Sequence, residues 1–414
     1  VPRKYLVAPY VLGACFVPAD QRVMIASLDF TMLRILIVAG VLRVFLRGEQ
    51  QVIKWNTFDK LVLCWAFCGT VIYAIQWMDM RAVIFKCGVL FEAIGLYWLF
   101  RQYVRSWHDI FFIVKLLAIC ALITAPLVAL EWVSGQNPFR ILGRVMTDQR
   151  DGWWRYRCQA SFPISIIMGL FWATLVPMFV GMARIGENRL LYCSAIIAGV
   201  FSVTASASST SVSTLLMILP LLFLFRWRHY TRFGAMAFVL LLIAFHIQSS
   251  RPVWYLFARL RLIGSSTGWH RYHLIDQALK HFGEWALLGV RSSRHWGFGL
   301  GDVTNQYILE GIRGGLITLI LFLVVIVMAF LTLARSFRWS PSREHQHIAW
   351  CLFVSLVGHC VAFIGVSYFG QIIMLWYLML AFVAFLYGCK VRRPDKRRLA
   401  RKPVVVISPK SPSR

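Results

Sequence analysis

Polar side chains at helical spacing mark the start of a late apolar stretch. Asp302, Gln306, Glu310 and Arg313 follow one another at steps of three or four residues, with Asn305 beside them. Residues at that spacing share one face of a helix. Charged groups at membrane depth are costly unless they line a wet cavity or pair with each other. A Glu310–Arg313 pair would explain only those two residues, so the pattern indicates a polar, substrate-binding surface.

Arginine dominates two long segments that separate apolar stretches. The first, 134–158, contains Arg155 and Arg157, and the second, 251–303, contains Arg271. The planar guanidinium group binds two phosphate oxygens at once, which the lysine ammonium cannot do. Attraction to anionic lipid headgroups is the simpler alternative. The preference for arginine over lysine favours a phosphate or pyrophosphate ligand.

Four histidines lie in the second of these segments, at positions 270, 273, 281 and 295. His270 and His295 flank predicted turns, and neither belongs to the amphipathic helix predicted between them. A neutral imidazole can take a proton from a sugar hydroxyl. Both residues are therefore candidates for acid–base chemistry, although an isolated histidine is more often incidental.

Motifs for several other chemistries are absent from the sequence. It contains no D-x-D motif, no Walker A loop and no G-x-S-x-G motif, and its ten cysteines include no C-x-x-C pair. We therefore expect no metal site, no cofactor and no nucleotide donor.

Membrane helices must position these residues. Apolar residues make up 59% of the 414-residue chain and charged residues only 15%, which is more apolar surface than a soluble domain can bury. The pattern predicts an all-α polytopic membrane protein with about twelve transmembrane helices. The predicted spans are 5–19, 23–46, 58–77, 81–100, 109–133, 159–183, 190–206, 209–225, 233–250, 304–334, 348–367 and 371–389.

Two further features belong to this framework. Leu274, Ala278, Phe282 and Trp285 recur at helical spacing after the turn sequence 264–268, which predicts an amphipathic helix at the outer membrane interface. Charged residues also occur inside predicted spans and are functional candidates, although the sequence does not identify their partners. They are Asp29, Arg34, Lys86 and Glu92.

Basic residues determine the predicted orientation. Lysine and arginine total 44 against 17 acidic residues, but in a membrane protein their side of the bilayer matters more than a nucleic-acid partner, which we do not expect. Residues 390–414 form a basic tail, expected to be disordered and cytoplasmic. Counting spans back from this tail places both termini in the cytoplasm and the segments 134–158 and 251–303 in the periplasm. We treat 1–389 as one transmembrane domain.

Several motifs together resemble the O-antigen ligase and O-antigen polymerase superfamily. The resemblance covers roughly residues 155–335, and the flanking spans match by topology alone. Two positions depart from the pattern of that superfamily: Thr304 precedes Asn305 where relatives commonly have histidine, and Thr210 follows Ser209 where an arginine is often found. These departures suggest an exopolysaccharide branch. The matching motifs are Arg157, Gln159–Pro163, Trp269–Tyr272, the glycines at 297, 299 and 301, Asn305–Gly311 and Gly314–Ile317.

The resemblance implies a metal-independent glycosyltransferase of the bacterial inner membrane, with its active site facing the periplasm. Its donor would be an undecaprenyl-pyrophosphate-linked oligosaccharide and its acceptor a glycan or a lipid, with membrane lipids and other polysaccharide-export proteins as partners. Arg157 and Arg271 would neutralise the pyrophosphate leaving group, and His295 would act as the general base. The expected substrate-binding residues are Arg155, His270, Asp302, Asn305, Tyr307, Glu310 and Arg313.

Three interpretations stay open at this point. The first is a polymerase of exopolysaccharide or O-antigen repeat units, and the second is a ligase that transfers the glycan to a lipid or protein acceptor. A transporter of polysaccharide or lipid-linked sugar is the alternative from another class. The short central loop 184–189 and the absence of a repeat between the two halves argue against a major-facilitator carrier.

Overall fold

The computed structural model describes residues 5–25, 28–143, 148–149, 156–186, 188–249, 251–256 and 267–389. Arg155 and the basic tail 390–414 lie outside these residues. The described chain is almost entirely helical, with two small antiparallel hairpins, β1 paired with β2 and β3 with β4. The elements are α1 Ala8–Phe16, β1 Arg22–Ile25, β2 Leu28–Thr31, α2 Met32–Leu46, α3 Thr57–Trp77, α4 Met80–Tyr103, α5 Trp107–Ser134, β3 Asp148–Gln149, β4 Tyr156–Arg157, α6 Ser165–Ile185, α7 Arg189–Ala205, α8 Ser209–Phe223, α9 Thr231–Gln248, α10 Thr267–Lys280, α11 Phe282–Trp285, α12 Gln306–Trp339, α13 Arg343–Gly365 and α14 Ile372–Gly388.

Seven helical stretches of the described residues are long and apolar enough to cross a membrane. They are α3, α4, α5, α6, the stretch Ser209–Gln248, α12 and α13, and α7 and α14 are shorter apolar helices. A multi-pass membrane protein of mainly helical structure is therefore confirmed, whereas the predicted number of twelve spans is not. Two predicted spans are shorter as helices: α1 has nine residues, and the span predicted at 23–46 starts with the β1–β2 hairpin before the 15-residue α2.

The helix ends fall into two groups at opposite faces of the bundle. At one face, Asn56 Nδ2 at the start of α3 donates to the Ala384 carbonyl near the end of α14 (3.1 Å). At the other, Ser161 Oγ donates to the Cys15 carbonyl (2.7 Å), and Asn305 Nδ2 donates to the Ile364 carbonyl (3.1 Å). This second face carries the described residues 135–143, 148–149, 156–164, 251–256 and 267–305, and we call it the long-loop face.

A buried ion pair fastens α3 to α4 at the opposite face. Asp59 accepts hydrogen bonds from Arg101 Nε (2.8 Å) and Nη2 (3.1 Å) and from the Tyr97 hydroxyl (2.6 Å). The same carboxylate completes a capping box with Asn56 at the first turn of α3. Asp59 thus caps the first turn of α3 and also fixes the position of α4 beside it.

The core is centred on α6 and α14. Every side chain of α6 from Ile167 to Phe179 is buried, and α14 is almost as completely enclosed. In contrast, α9 has no buried residue and lies at the periphery. A second, smaller core sits under α10, where Leu274 and Ala278 pack with Trp285 and other residues. The apolar face of the amphipathic helix therefore packs on protein.

Helix α12 turns back on itself at Gly315, which differs from the continuous span predicted at 304–334. Gly315 has φ 67° and ψ −177°, and the rings of Tyr307 and Phe322 lie 5.9 Å apart. In a straight α-helix, residues fifteen positions apart are separated by about 22 Å. The helix therefore has a short arm, Gln306–Gly314, folded back against a long arm, Leu316–Trp339.

The reversal requires glycine at position 315. A side chain at this positive φ is strained, and a Cβ atom there would lie 2.2 Å from the Leu287 carbonyl oxygen. Two backbone hydrogen bonds join the turn at Gly315 to the segment that precedes α12. Leu316 N donates to the Ala286 carbonyl (2.8 Å), and Val290 N donates to the Ile312 carbonyl (2.9 Å). The segment before α12 thus supports the turn.

We expect Gly315→Ala to lower the thermal unfolding midpoint of the detergent-solubilised protein. A residue with a Cβ atom costs about 1 to 3 kcal/mol in this region of positive φ and extended ψ, and the contact with Leu287 adds to it. Gly234→Ala is the matched control, because Gly234 lies within α9 and a Cβ atom there meets nothing within 4 Å. Equal midpoints for the two variants would contradict the reversal at Gly315.

Candidate functional site

Two adjoining cavities open among the helices toward the long-loop face. The larger, about 1180 Å³, lies between α1, the β1–β2 hairpin, α2, α4 and the segment before α14. The smaller, about 130 Å³, lies between α3, α4, the short arm of α12 and α14. We call them the large cavity and the polar recess. Both are lined by Val89, Glu92, Arg313, Tyr368 and Ile373, so they meet at these residues.

The large cavity has more positive than negative charge on its walls. Four arginines line it, at positions 22, 34, 81 and 313, against two carboxylates, Asp20 and Glu92. Arg34 Nε lies 2.7 Å from Glu92 Oε1, and Thr31 Oγ1 donates to the same oxygen (3.2 Å). In the described part of the chain, Arg81 and Arg313 make no hydrogen bond or ion pair. Their charges make the cavity attractive to an anion.

Apolar side chains form the rest of the wall. Leu33 and Val38 of α2 face the cavity opposite Ile84, Phe85 and Phe91 of α4. Of these, the α4 residues and Val38 are also exposed on the surface of the bundle. Because α4 is one of the helices long and apolar enough to cross a membrane, this side of the cavity offers contact to an apolar chain as well as to an anion.

The polar recess is organised around Glu310. Trp65 Nε1 donates to Glu310 Oε2 (3.1 Å), and Gln306 Nε2 donates to Glu310 Oε1 (2.7 Å). Gln306 is itself fixed, since its Oε1 accepts from the Tyr368 backbone N–H (2.8 Å). Lys86 lines the same recess from α4. Of the predicted polar stripe, Gln306, Glu310 and Arg313 thus lie on the short arm of α12 and line a cavity. Asp302 precedes the helix and is exposed, so its place in the stripe was predicted wrongly.

Arg271 occupies a separate position at the start of α8. Its Nη2 donates to Thr210 Oγ1, and its guanidinium group packs against Gly365, where a Cβ atom would lie 3.2 Å from Arg271 Nε. Burial lowers the pKa of this guanidinium group.

Arg157 lies in β4, next to a segment that is pinned to α5. Glu131 is fully buried, and its carboxylate accepts from the backbone N–H groups of Gln159 (3.1 Å) and Ala160 (2.9 Å). Ala160 has φ 50°, and Cys158 N donates to the Ala205 carbonyl (3.1 Å). The neighbourhood of Arg157 is therefore fixed by backbone contacts, while Arg155 lies outside the described residues.

His295 lies on the surface of the long-loop face. Its Nε2 is 2.7 Å from Glu284 Oε2, which also accepts from Trp296 Nε1 (2.9 Å). These hydrogen bonds, first that of Trp296 and then that of His295, hold the pKa of Glu284 below its usual range. The His295 side chain is 54% exposed. An imidazole so placed is available to solvent but is not part of either cavity.

The predicted site residues are therefore divided among several places. Glu310 and Arg313 line the polar recess, whereas Arg157, Arg271 and His295 line neither cavity. Asn305 caps α12 by accepting from Ile308 N (3.1 Å). The others have surface or structural positions: Asp302 is exposed, His270 is half-buried beside Gly299, and the Tyr307 hydroxyl donates to the Cys360 carbonyl (3.0 Å).

The structure supplies the partners that the sequence left unidentified. Arg34, Lys86 and Glu92 join the short arm of α12 at the two cavities, while the side chain of Asp29 is outside the described residues. Arg22 and Arg81 were missed by the sequence analysis. In the predicted topology Arg22 lies in the short periplasmic loop before the second span, and Arg81 lies at the periplasmic start of the fourth span. Their exception to the positive-inside rule was the available signal.

Comparison of the chain with protein-family models, with characterised proteins and with solved structures found no match.

We expect Glu92→Ala to destabilise the protein by about 1 to 3 kcal/mol, because it removes the carboxylate that the half-buried Arg34 guanidinium group contacts at 2.7 Å. The Arg34→Ala, Glu92→Ala double variant should lose less stability than the two single variants lose in sum. Stability is measured by thermal unfolding of the solubilised protein. The exposed pair Lys280–Asp276 is the control, and its two single losses should add. Additive losses at Arg34 and Glu92 would contradict the ion pair.

The contact between Glu284 and its neighbours should weaken in acid. A carboxyl group whose folded pKa is lowered contributes stability above its unfolded pKa, about 4.3 for glutamate, and loses it as the pH falls through the folded value. Amide hydrogen exchange of residues 281–296 should therefore accelerate in that acidic range. In Glu284→Gln the acceleration should be absent, and an unchanged pH response in this variant would refute the role of Glu284.

Proposed function

We propose that this protein transfers glycans from an undecaprenyl-pyrophosphate-linked oligosaccharide at the periplasmic face of a bacterial inner membrane, polymerising exopolysaccharide or O-antigen repeat units. The proposal rests on the large cavity. One side of it is apolar and reaches the surface of the bundle, and four guanidinium groups line it. A polyprenyl pyrophosphate combines these same two properties, an apolar chain and a compact anion.

The reaction requires positive charge beside the leaving group, and the arginines of the large cavity can supply it. When the anomeric carbon is transferred, the oxygen that leaves it belongs to the pyrophosphate, and negative charge builds up there. Fixed positive groups in a site with little water stabilise such charge most strongly. Arg313 supports the proposal best, since it lines both cavities and has no partner of opposite charge in the described part of the chain.

Arg157 and Arg271 keep their predicted role of neutralising the pyrophosphate in this proposal, and His295 is a further residue of the same face. All three belong to elements of the long-loop face, and Arg271 is the most enclosed of them because it packs between Thr210 and Gly365. A glycan attached to a pyrophosphate in the large cavity would extend toward this face. Arg271 would then contact the sugar or a second part of the anion.

The test is transfer by the purified protein in liposomes that contain a polyprenyl-pyrophosphate-linked oligosaccharide. We expect longer lipid-linked glycans and release of polyprenyl pyrophosphate, both detected by mass spectrometry. Arg313→Ala should reduce the rate by roughly 100-fold or more, as expected when a preorganised positive group is removed from a developing charge. Arg271→Ala should shorten the chain-length distribution. Arg47→Ala, an exposed arginine at the opposite face, serves as the control and should leave both measurements unchanged.

Other products would identify the alternatives. Glycan attached to an added lipid or protein acceptor, without longer lipid-linked chains, would favour a ligase. Movement of the lipid-linked sugar across the bilayer without a covalent product would favour a transporter. Wild-type rates in Arg313→Ala together with unchanged chain lengths in Arg271→Ala would refute the assignment of the donor site.

A further inference from the structure

Three carboxylates line the two cavities, and their environments differ. Asp20 is exposed at the rim of the large cavity. Glu92 is held by the Arg34 guanidinium group at 2.7 Å, so its Oε1 is already engaged in an ion pair. Glu310 instead accepts hydrogen bonds from neutral groups only, Trp65 and Gln306. Glu310 is therefore a half-buried carboxylate that makes no ion pair among the described residues, and Lys86 and Arg313 line the same recess.

The position of Glu310 is fixed from two sides. Trp65 comes from α3, and Gln306 lies one turn earlier on the short arm of α12. The amide of Gln306 cannot turn over without losing a hydrogen bond, because its Oε1 accepts from Tyr368 N. Its NH₂ group must therefore face Glu310. The Tyr368 hydroxyl lies 2.7 Å from His359 Nδ1, which anchors this residue in turn.

Glu310 also keeps capacity for a further hydrogen bond. Each carboxylate oxygen can accept two hydrogen bonds, and each oxygen of Glu310 receives one from the described residues. Arg313 lies three positions later, so the two side chains are neighbours on the helix surface. One helix face thus presents an acceptor for a proton beside a cation for a phosphate oxygen.

We propose that Glu310 is the general base of the reaction, and this assignment rests on the proposed function. The Glu310 carboxylate takes the proton of the acceptor sugar hydroxyl as that oxygen bonds to the anomeric carbon. The bond between the anomeric carbon and the pyrophosphate oxygen breaks, and its electron pair leaves with the polyprenyl pyrophosphate. Arg313 binds that leaving group. His295 then has no part in proton transfer, in keeping with its contact to Glu284 outside both cavities.

The residues around Glu310 also define what a pH profile would report. The titratable or charged groups that line the recess with it are Lys86 and Glu92 of α4, Arg313, Tyr368 and Tyr377. Because several of these titrate, the assignment is better tested by substitution than by pH alone. Glu310→Gln removes the base while keeping the size of the side chain.

The experiment measures the turnover number and the donor dissociation constant of Glu310→Gln in the liposome assay. A positioned base typically contributes a factor of about 10² to 10⁴, so the turnover number should fall by that factor while donor affinity stays within about threefold, a shift of less than 1 kcal/mol. Retained donor affinity shows that the variant is folded. Asp276→Asn is the control, since it makes the same change at a carboxylate of α10 that pairs with Lys280.

Gln306→Leu separates catalysis from positioning. This variant removes the NH₂ group that orients Glu310, so its turnover number should fall less than that of Glu310→Gln. The double variant should be no slower than Glu310→Gln alone, because residues that act as a unit are not additive. If Gln306 has only a structural role, its loss of turnover should add to that of Glu310→Gln in the double variant.

The outcomes distinguish the two proposals. If the wild-type protein transfers glycan and Glu310→Gln is equally fast, the base assignment is refuted while the proposed function stands. The same holds if His295→Ala loses turnover to the extent predicted for Glu310→Gln. If the wild-type protein binds the donor and forms no product, the proposed function and the base assignment are both refuted.

Discussion

Reversal of the chain at Gly315 places a short helix inside the protein, and the architecture of the recess follows from that turn. A helix of nine residues, Gln306–Gly314, cannot cross a membrane, and its ends carry backbone groups that need partners. The structure supplies them through Ala286, Val290 and Gln76, whose side-chain Nε2 donates to the Ile312 carbonyl (3.2 Å). Irregular backbone at membrane depth is tolerated only where it is enclosed in protein or lines a cavity. Here it does both.

Two buried or half-buried ion pairs balance charges within the bundle. Asp59 with Arg101, and Arg34 with Glu92, form close ion pairs. Such pairs are expensive to break, since removing one partner leaves an uncompensated charge in a poorly solvated place. Arg313 has no such pair in the described chain. A charge held without compensation beside an apolar wall is the feature that suggests a ligand.

Positioning by backbone contacts recurs around the long-loop face. Glu131 holds the segment after Arg157 through two backbone N–H groups, and Thr210 holds Arg271. Thr210 contacts the Arg271 side chain directly. Glu131 instead holds the backbone that follows Arg157. The Thr210 hydroxyl is neutral, so this contact holds the Arg271 guanidinium group without neutralising its charge. This arrangement agrees with a surface that receives an anionic glycan carrier.

Composition and apolar periodicity were sufficient for the membrane class and for most helices, because the length and spacing of apolar stretches are local properties of the sequence. The helices α3 to α9 and α13 to α14 follow the predicted spans within several residues. The spacing of Gln306, Glu310 and Arg313 also identified a shared helix face correctly. These features are local, and a sequence records them directly.

Tertiary structure alone decided which residues face each other. The glycines at 314 and 315 permit the chain to reverse direction. The apolar pattern continues with helical spacing before and after Gly315, so it gives no sign of this reversal. The partners of Arg34, Lys86 and Glu92 come from helices distant in sequence, and their approach depends on packing across the whole bundle. The sequence by itself determined that a polar face exists at 306–313. Only the fold turned that face toward a cavity, because the direction of a helix after a turn is set by the surfaces that enclose it.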